Sequence, residues 1–240
     1  MNKKALLAVA LVILVPLTSY LFVKHYSEDA VQMPKRFYSD SINTFVKDGK
    51  EYTDTIWHKV SDITLTNQLG QQVSISELHN KVIVADFFFT HCPNICPTLT
   101  QNMRKLQDGL KVKDNMKNVD TNFVHFLSFT VDPEHDSVAA LKRYADHYGV
   151  DHDQWWMLTG PKKKIYDFAI NELKMAVADT NNVDSNFMHT SKFVLLDRDR
   201  IVRGYYNGTD SVEINNLARD LIFIMLEKDK KKKRNLFGSL

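Results

Sequence analysis

The sequence predicts an α/β protein in which a mixed β-sheet is covered by helices on both faces. Three observations indicate this fold class: a nearly unbroken apolar run typical of a central strand, an alternation of strand-like and helix-like segments after it, and a strand pair on either side of that alternation. With 240 residues, of which 44% are hydrophobic, the chain can bury a substantial core. We find no internal repeat, and the pattern predicts one folded domain.

The first elements of the pattern are a hairpin, the central strand and a helix. Residues 63–66 and 72–75 alternate around a turn at 67–70 that ends in glycine, which predicts a β-hairpin. Residues 82–89 are apolar apart from Asp86, as in a strand buried on both faces, and a buried Asp86 needs a hydrogen-bond partner. Helical spacing follows in the apolar positions Leu99, Met103, Leu106 and Leu110.

The second half of the pattern continues the alternation and ends in a long helix. In chain order we predict a strand at 123–129, a helix from about 137 to 149, a short strand at 155–158, a helix around 165–169, two hairpin strands at 193–197 and 201–206, and a last helix after Asp210. Ser137 and Asp210 are typical N-cap residues and Gly149 is a typical terminator, so local capping predicts where these helices start and stop.

The N-terminal segment predicts a membrane anchor. After Lys3 and Lys4, residues 5–23 carry no charge and are mostly apolar, and a helix of that length at about 1.5 Å per residue nearly spans a hydrocarbon core of about 30 Å. The lysines favour a cytoplasmic start, so we expect a single-pass protein of the cell membrane with its domain on the extracytoplasmic (periplasmic) side. A cleaved signal peptide is the alternative, although a convincing A-x-A type cleavage site is hard to find before Glu28.

These features divide the chain into four parts: a transmembrane anchor (1–23), a polar and irregular tether (24–56), a folded domain (57–227) and a basic tail (228–240). The net charge of +2 is unevenly distributed among them. Lys228–Arg234 contains six basic residues and one acid, and removing it together with Lys3 and Lys4 leaves a net charge of −5. An acidic domain argues against nucleic-acid binding. We expect the tail to be a solvated end, with contact to anionic lipids as the alternative.

The two cysteines of the chain, Cys92 and Cys96, fall between the central strand and the helix that follows it. Two cysteines are too few for a multi-disulfide scaffold or a four-thiolate zinc site. Pro97 suits a first helical position, which would place Cys96 at or beside the N-cap, where the positive end of the helix favours a thiolate. His91, next to Cys92, either tunes its thiolate or is a polar residue at the end of the strand.

The C-x-x-x-C spacing by itself leaves three interpretations open. One is a structural disulfide, although closing so small a loop gains little chain entropy. Another is a thiol–disulfide catalyst, whose cysteines usually have the shorter C-x-x-C spacing. The third is a metal site, since two soft thiolates select Cu(I) or zinc.

The segment Val84-Ala-Asp-Phe-Phe-Phe-Thr-His-Cys-Pro-Asn-Ile-Cys-Pro97 resembles the SCO/SenC family of membrane-tethered, thioredoxin-like copper proteins that serve cytochrome c oxidase. Three further segments fit in the same order: Phe129–Asp136 resembles the family's V-D-P-x-x-D segment, Leu158–Gly160 its L-T-G strand end, and Phe187–Ser191 the segment that holds its copper-binding histidine. The resemblance covers roughly Trp57–Glu227 and implies a thioredoxin-like mixed sheet flanked by helices, with an N-terminal β-hairpin extension.

The resemblance implies that Cys92, Cys96 and His189 bind copper. Two thiolates and one imidazole suit three-coordinate Cu(I), and the same set tolerates Cu(II) when an extra ligand joins. The chain departs from the family at Asn94 and Met188, where the family often has aspartate. The missing carboxylates remove charge that would support Cu(II) and tune the redox behaviour of the site.

The function implied by the resemblance is that of a membrane-anchored copper metallochaperone, which is not an enzyme. It would receive Cu(I) from a donor protein and pass it by ligand exchange to the binuclear copper site of a cytochrome c oxidase subunit. The chain has no proline after Pro161, whereas thioredoxin-like redox enzymes share a cis-proline that faces their cysteines. The alternative is an extracytoplasmic thiol–disulfide oxidoreductase in which Cys92 and Cys96 keep the cysteines of an oxidase subunit reduced.

Overall fold

The chain divides into two compact units, residues 1–33 and residues 34–240, and one helix forms most of the first. Helix α1 (Lys3–Ala30) exposes its large apolar side chains between Leu11 and Val23. Within the described residues, no helix is both long enough and apolar enough to cross a membrane, so the predicted transmembrane anchor is not supported. The computed structural model describes residues 3–30, 33–47, 49–114, 123–175 and 190–237.

An antiparallel hairpin opens the second unit. Strands β1 (Ser39–Lys47) and β2 (Lys50–Trp57) pair with each other, and Gly49 adopts a left-handed conformation (φ 72°) at the turn. The expectation of an irregular tether over residues 24–56 is therefore wrong, because its first residues continue α1 and the rest is largely hairpin. The side chains of this hairpin are mostly polar, so its sequence lacks the apolar pattern from which strands are predicted. A two-stranded sheet that covers no core needs no continuous apolar face.

A seven-stranded mixed sheet forms the centre of the second unit. Its strands are β3 (Thr64–Asn67), β4 (Gln72–Ser74), β5 (Val82–Phe88), β6 (Val124–Thr130), β7 (Trp155–Thr159), β8 (Lys192–Leu196) and β9 (Val202–Asn207). They lie in the order β4-β3-β7-β6-β5-β8-β9, with β5, β6 and β7 parallel and the other neighbours antiparallel. The predicted mixed sheet and both predicted hairpins, β3–β4 and β8–β9, are confirmed.

Helices cover both faces of this sheet, as predicted. They are α2 (Ile95–Asp114), α3 (Val138–His147), α4 (Lys162–Asp167), which continues into a π-helical turn (Phe168–Glu172), and α5 (Ser211–Phe237). Helices α2, α3 and α5 pack on one face through side chains such as Leu99, Leu141 and Leu217, and α4 with its π turn packs on the other through Ile165 and Phe168. Helix α5 runs past residue 227, so the first part of the basic tail is helical.

The predicted capping residues bound their helices. The Ser137 hydroxyl accepts a hydrogen bond from the Ala140 N–H (3.3 Å), and the Asp210 carboxylate accepts one from the Val212 N–H (2.8 Å). Gly149, with φ 64°, follows the end of α3. These ends were predictable because capping depends on neighbours within a few residues.

Gly208, just after β9, packs tightly against α2. A methyl group at this position would approach Cδ2 of Leu99 to 2.5 Å and Cζ of Phe193 to 2.7 Å, and both of these side chains are fully buried. We expect Gly208→Ala to lower the free energy of unfolding by about 1–3 kcal/mol in urea titrations. Gly109→Ala, where nothing lies within 4 Å on the exposed side of α2, should raise it by about 1 kcal/mol or less. Equal effects of the two substitutions would contradict this packing.

Candidate functional site

The cysteine loop, residues 89–94, joins the end of β5 to the start of α2. Within it the Cys92 N–H donates a hydrogen bond to the Phe89 carbonyl (3.2 Å). Helix α2 begins two residues before Pro97, so the prediction that Pro97 is the first helical residue is wrong and Cys96 lies inside the first turn. Proline is tolerated there because the first four N–H groups of a helix lack intrahelical acceptors.

The two cysteines are free thiols in buried positions, with exposed fractions of 6% for Cys92 and 2% for Cys96. The backbone N–H of Cys96 points at the Cys92 sulfur over 3.5 Å. Burial opposes the ionisation of Cys92, but the Cys96 thiol and the N–H groups of residues 94–96 donate to its sulfur and hold its pKa below the usual range for cysteine. Cys92 is therefore the thiol that ionises first.

The pKa of Cys96 moves in the opposite direction. Burial raises this pKa well above the usual range, and the neighbouring Cys92 sulfur and the Asp86 carboxyl raise it further. The pair thus combines one thiol that loses its proton more readily than an ordinary cysteine with one that keeps its proton at neutral pH and donates to its neighbour. Two neighbouring sulfurs can bind a soft metal ion or close a disulfide.

Asp136 ties the cysteine loop to the end of β6. Its side chain is fully buried and accepts three hydrogen bonds, from the Thr90 N–H (3.1 Å), the Thr90 hydroxyl (2.5 Å) and the Thr130 hydroxyl (2.5 Å). Thr90 is two residues from Cys92, so Asp136 fixes one end of the loop. Asp136 is part of the V-D-P-x-x-D segment, but the sequence does not reveal its anchoring role, because its main partner, Thr90, is 46 residues away.

Asp86 lies on the face of β5 that packs against α2. It is 1% exposed, and neither carboxyl oxygen has a hydrogen-bond partner of normal geometry among the described residues, so the expected partner is missing. Burial raises the pKa of Asp86 to about 7, and the hydroxyl of Ser128, opposite it on β6, offsets only part of this effect.

The two exposed histidines near the cysteine loop, His91 and His135, contact neighbouring polar side chains. The His91 ring lies 3.0 Å from the Thr90 hydroxyl, and the pKa of Cys92 is set mainly by backbone donors and Cys96. His135 lies 2.8 Å from an Asp132 carboxylate oxygen, which raises the pKa of that imidazole. These contacts do not support a role for His91 in tuning Cys92.

The predicted ligand His189, and Met188 before it, lie outside the described residues. In the part of the chain that is described, no three histidine, cysteine or acidic side chains are grouped to bind a metal ion. The structure therefore brings together two of the three predicted ligands, Cys92 and Cys96. After the gap that contains His189, the described residues resume at Thr190.

Solved structures of several proteins share this fold. A SCO1/SenC family lipoprotein from Bacillus anthracis str. Ames is 30% identical, with 70% of this chain and 95% of that one covered and a TM-score of 0.59. BsSco, described as having a disulfide switch and as a member of the Sco family of cytochrome c oxidase assembly proteins, is 34% identical, with 71% and 95% covered and a TM-score of 0.58. Bradyrhizobium japonicum ScoI, solved with copper bound, shares the fold at 24% identity, with 68% and 97% covered and a TM-score of 0.51. The thioredoxin-like fold implied by the resemblance is confirmed.

The family comparison covers most of the chain. The model of the SCO1/SenC family matches residues 55–224, which include the cysteine loop and the whole seven-stranded sheet. The SCO1 protein homolog of Bacillus subtilis (strain 168) is 35% identical over 174 residues, corresponding to 72% of this chain and 86% of that protein. This chain belongs to the SCO1/SenC family.

Proposed function

We propose that this chain is a copper metallochaperone that binds Cu(I) through Cys92, Cys96 and His189. It receives the ion from a donor protein and delivers it to the binuclear copper site of a cytochrome c oxidase subunit. The observation that carries the proposal is the pair of adjacent buried thiols at the start of α2, one of them with a lowered pKa. Membership of the family supports the assignment, since BsSco is described as one of the cytochrome c oxidase assembly proteins.

The donor chemistry fits Cu(I) as the cargo. Two sulfur ligands are soft donors, which prefer Cu(I) to harder ions. The Cys96 thiol is protonated in the metal-free protein, so copper binding has to release its proton, and affinity should rise with pH. During transfer, ligands of the acceptor protein would replace those of this chain one at a time. The His189 imidazole would leave first, because a proton can bind its nitrogen in place of the metal.

The course of β8 supports His189 as the third ligand. Strand β8 runs antiparallel to β5, with Val194 opposite Ala85. The first residues of β8 therefore lie beside the last residues of β5, where the cysteine loop begins. Thr190, which follows His189 and precedes β8, is 3% exposed. We therefore propose His189, the residue before Thr190, as the third ligand.

The test is Cu(I) binding by the reduced chain without oxygen, in competition with a chromogenic chelator. We expect one Cu(I) per wild-type chain and at least about ten-fold weaker binding by His189→Ala, because one of three ligands is lost. Cys92→Ser and Cys96→Ser should bind more weakly still. His79→Ala removes an exposed imidazole before β5 and should leave the affinity unchanged. Wild-type affinity in His189→Ala would refute the three-ligand site.

The asymmetry of the thiols also favours a second function, that of a thiol–disulfide reductase. The Cys92 thiolate would attack a disulfide of an oxidase subunit, forming a mixed disulfide and releasing one thiolate. Cys96, after losing its proton, would attack the Cys92 sulfur, releasing the second thiolate and leaving a Cys92–Cys96 disulfide for a thiol reductant to reopen. Reductase turnover that survives His189→Ala, without any copper delivery, would favour this function.

The site of action that we propose is a membrane surface on the extracytoplasmic side. The apolar side chains that α1 exposes support attachment to lipid. The similar protein from Bacillus anthracis is described as a lipoprotein, which agrees with membrane attachment.

A further inference from the structure

A pocket of about 340 Å³ lies between the cysteine loop and helix α3. The loop contributes Thr90 and His91, the residues immediately before Cys92. The other wall is formed by residues of α3 and its C-terminal end: Ala140, Arg143, Tyr144, His147 and Tyr148. The pocket therefore shares one wall with the loop that we propose to carry copper.

The pocket is basic, although the chain between its charged ends is acidic. Arg143 is exposed, and its guanidinium forms no ion pair or hydrogen bond with any residue that the structure describes. The adjacent Lys142 is different, because it pairs with Asp146 at 2.5 Å. Among the described residues no carboxylate lines the pocket, and Asp136 behind it is fully buried, accepts hydrogen bonds from Thr90 and Thr130, and lies 3.8 Å from the His91 ring. Within the described part of the chain, Arg143 is thus a cation on this wall without an acidic partner.

The side chains of the pocket suit a carboxylate on another protein. A guanidinium binds a carboxylate through two parallel N–H···O bonds, and the Tyr148 hydroxyl and the His147 imidazole add further donors. The Tyr144 hydroxyl does not contribute, because it lies 2.9 Å from the Thr100 hydroxyl and hydrogen-bonds to it. The Cys92 side chain is only 6% exposed, so an acceptor that takes its cargo must contact the cysteine loop itself. A macromolecule docked there reaches the pocket at the same time.

Building on the proposed delivery of copper, we propose that this pocket is the docking surface for an acidic segment of the protein that receives the copper. A carboxylate of the partner pairs with Arg143 and brings the partner's own metal ligands over Cys92. Opposite charges of this kind accelerate encounter, and their effect falls as salt concentration rises.

The test measures Cu(I) transfer from the loaded full chain in detergent to the soluble copper-site domain of the oxidase subunit. Arg143→Glu should lower the second-order transfer rate constant at least about ten-fold at low salt and abolish its decrease with added salt. Arg143→Lys should retain part of the rate, and all variants should keep wild-type Cu(I) affinity. Lys163→Glu is the matched control: it makes the same charge change on an 87% exposed side chain of α4, on the opposite face of the sheet, and should leave transfer unchanged.

The outcomes separate the docking surface from the proposed function. If the wild type transfers copper and Arg143→Glu transfers it equally fast, the docking surface is wrong and delivery stands. If the wild type binds copper but transfers none to this domain, delivery fails, and the docking surface proposed for it fails too. Equal loss of rate in Arg143→Glu and Lys163→Glu would show a non-specific charge effect and overturn the assignment to this pocket.

Discussion

Asp136→Ala is expected to lower the free energy of unfolding by about 3–5 kcal/mol and to loosen the cysteine loop. The substitution removes a buried acceptor and leaves the Thr90 N–H and the Thr130 hydroxyl without an acceptor, while the Thr90 hydroxyl keeps only the His91 ring, 3.0 Å away. Each unsatisfied buried donor costs about 1–3 kcal/mol. The loss should be concentrated at the loop, because Thr90 is two residues from Cys92.

Urea unfolding measures the stability, and the rate at which a thiol reagent modifies Cys92 reports on the loop. The reagent should react with Asp136→Ala faster than with the wild type in the absence of denaturant, because the loop opens locally. Asp136→Asn keeps the volume and one acceptor oxygen, so its loss should be smaller. Asp146→Ala, an exposed carboxylate on α3, should cost about 1 kcal/mol or less. A similarly small loss in Asp136→Ala would contradict the anchoring role.

Two other buried groups are expected to produce opposite pH dependences that cancel in the wild type. Burial raises the pKa of Asp86 to about 7. On the neighbouring strand, His125 is 2% exposed with its ring centroid 4.3 Å from that of Trp156. Burial, together with the charge of Lys81, lowers the pKa of His125 to about 3, from an ordinary value of 6.5.

The signs follow from the protons that each state binds. Between about pH 4 and about pH 6.5, Asp86 is ionised when unfolded and protonated when folded, so stability falls as pH rises, by about 1.4 kcal/mol per pH unit. Over the same range His125 is protonated when unfolded and neutral when folded, so stability rises by a similar amount. Cys96 and Tyr144, which interact with Asp86, have raised pKa values and stay protonated in this range.

Single substitutions should expose each contribution in urea titrations at about pH 5 and about pH 6.5. Relative to the wild type, Asp86→Asn should gain about 2 kcal/mol of stability between the two pH values, and His125→Leu should lose about 2 kcal/mol. Comparison with the wild type cancels the contributions of titrating groups that all the proteins share. The double variant should show the wild-type dependence of stability on pH. A single variant with the wild-type pH dependence would show that its group does not titrate as described.

Most of the central fold was predictable because its signals are local. The apolar run around Val84 is typical of a strand covered on both faces, and the Ser137 and Asp210 caps act within one helical turn. The thiol pair also needed no long-range information, because Cys92 and Cys96 are only four residues apart and the Cys96 N–H points at the Cys92 sulfur. The sequence alone therefore predicted the mixed sheet, its two hairpins and the thiol pair, and its resemblance to one family agrees with the family match.

Only the tertiary structure decided which polar groups support the thiols. Asp136 and Asp86 are both single carboxylates in the sequence. Asp136 accepts hydrogen bonds from Thr90 and Thr130, whereas Asp86 is buried without a hydrogen-bond partner of normal geometry among the described residues. The pocket beside Cys92 likewise depends on helix α3, about fifty residues further along the chain, with Arg143 facing the cysteine loop. The physical reason is that the pairing, pKa and exposure of a polar side chain depend on groups far apart in sequence. Periodicity and capping, which a sequence displays directly, depend on near neighbours.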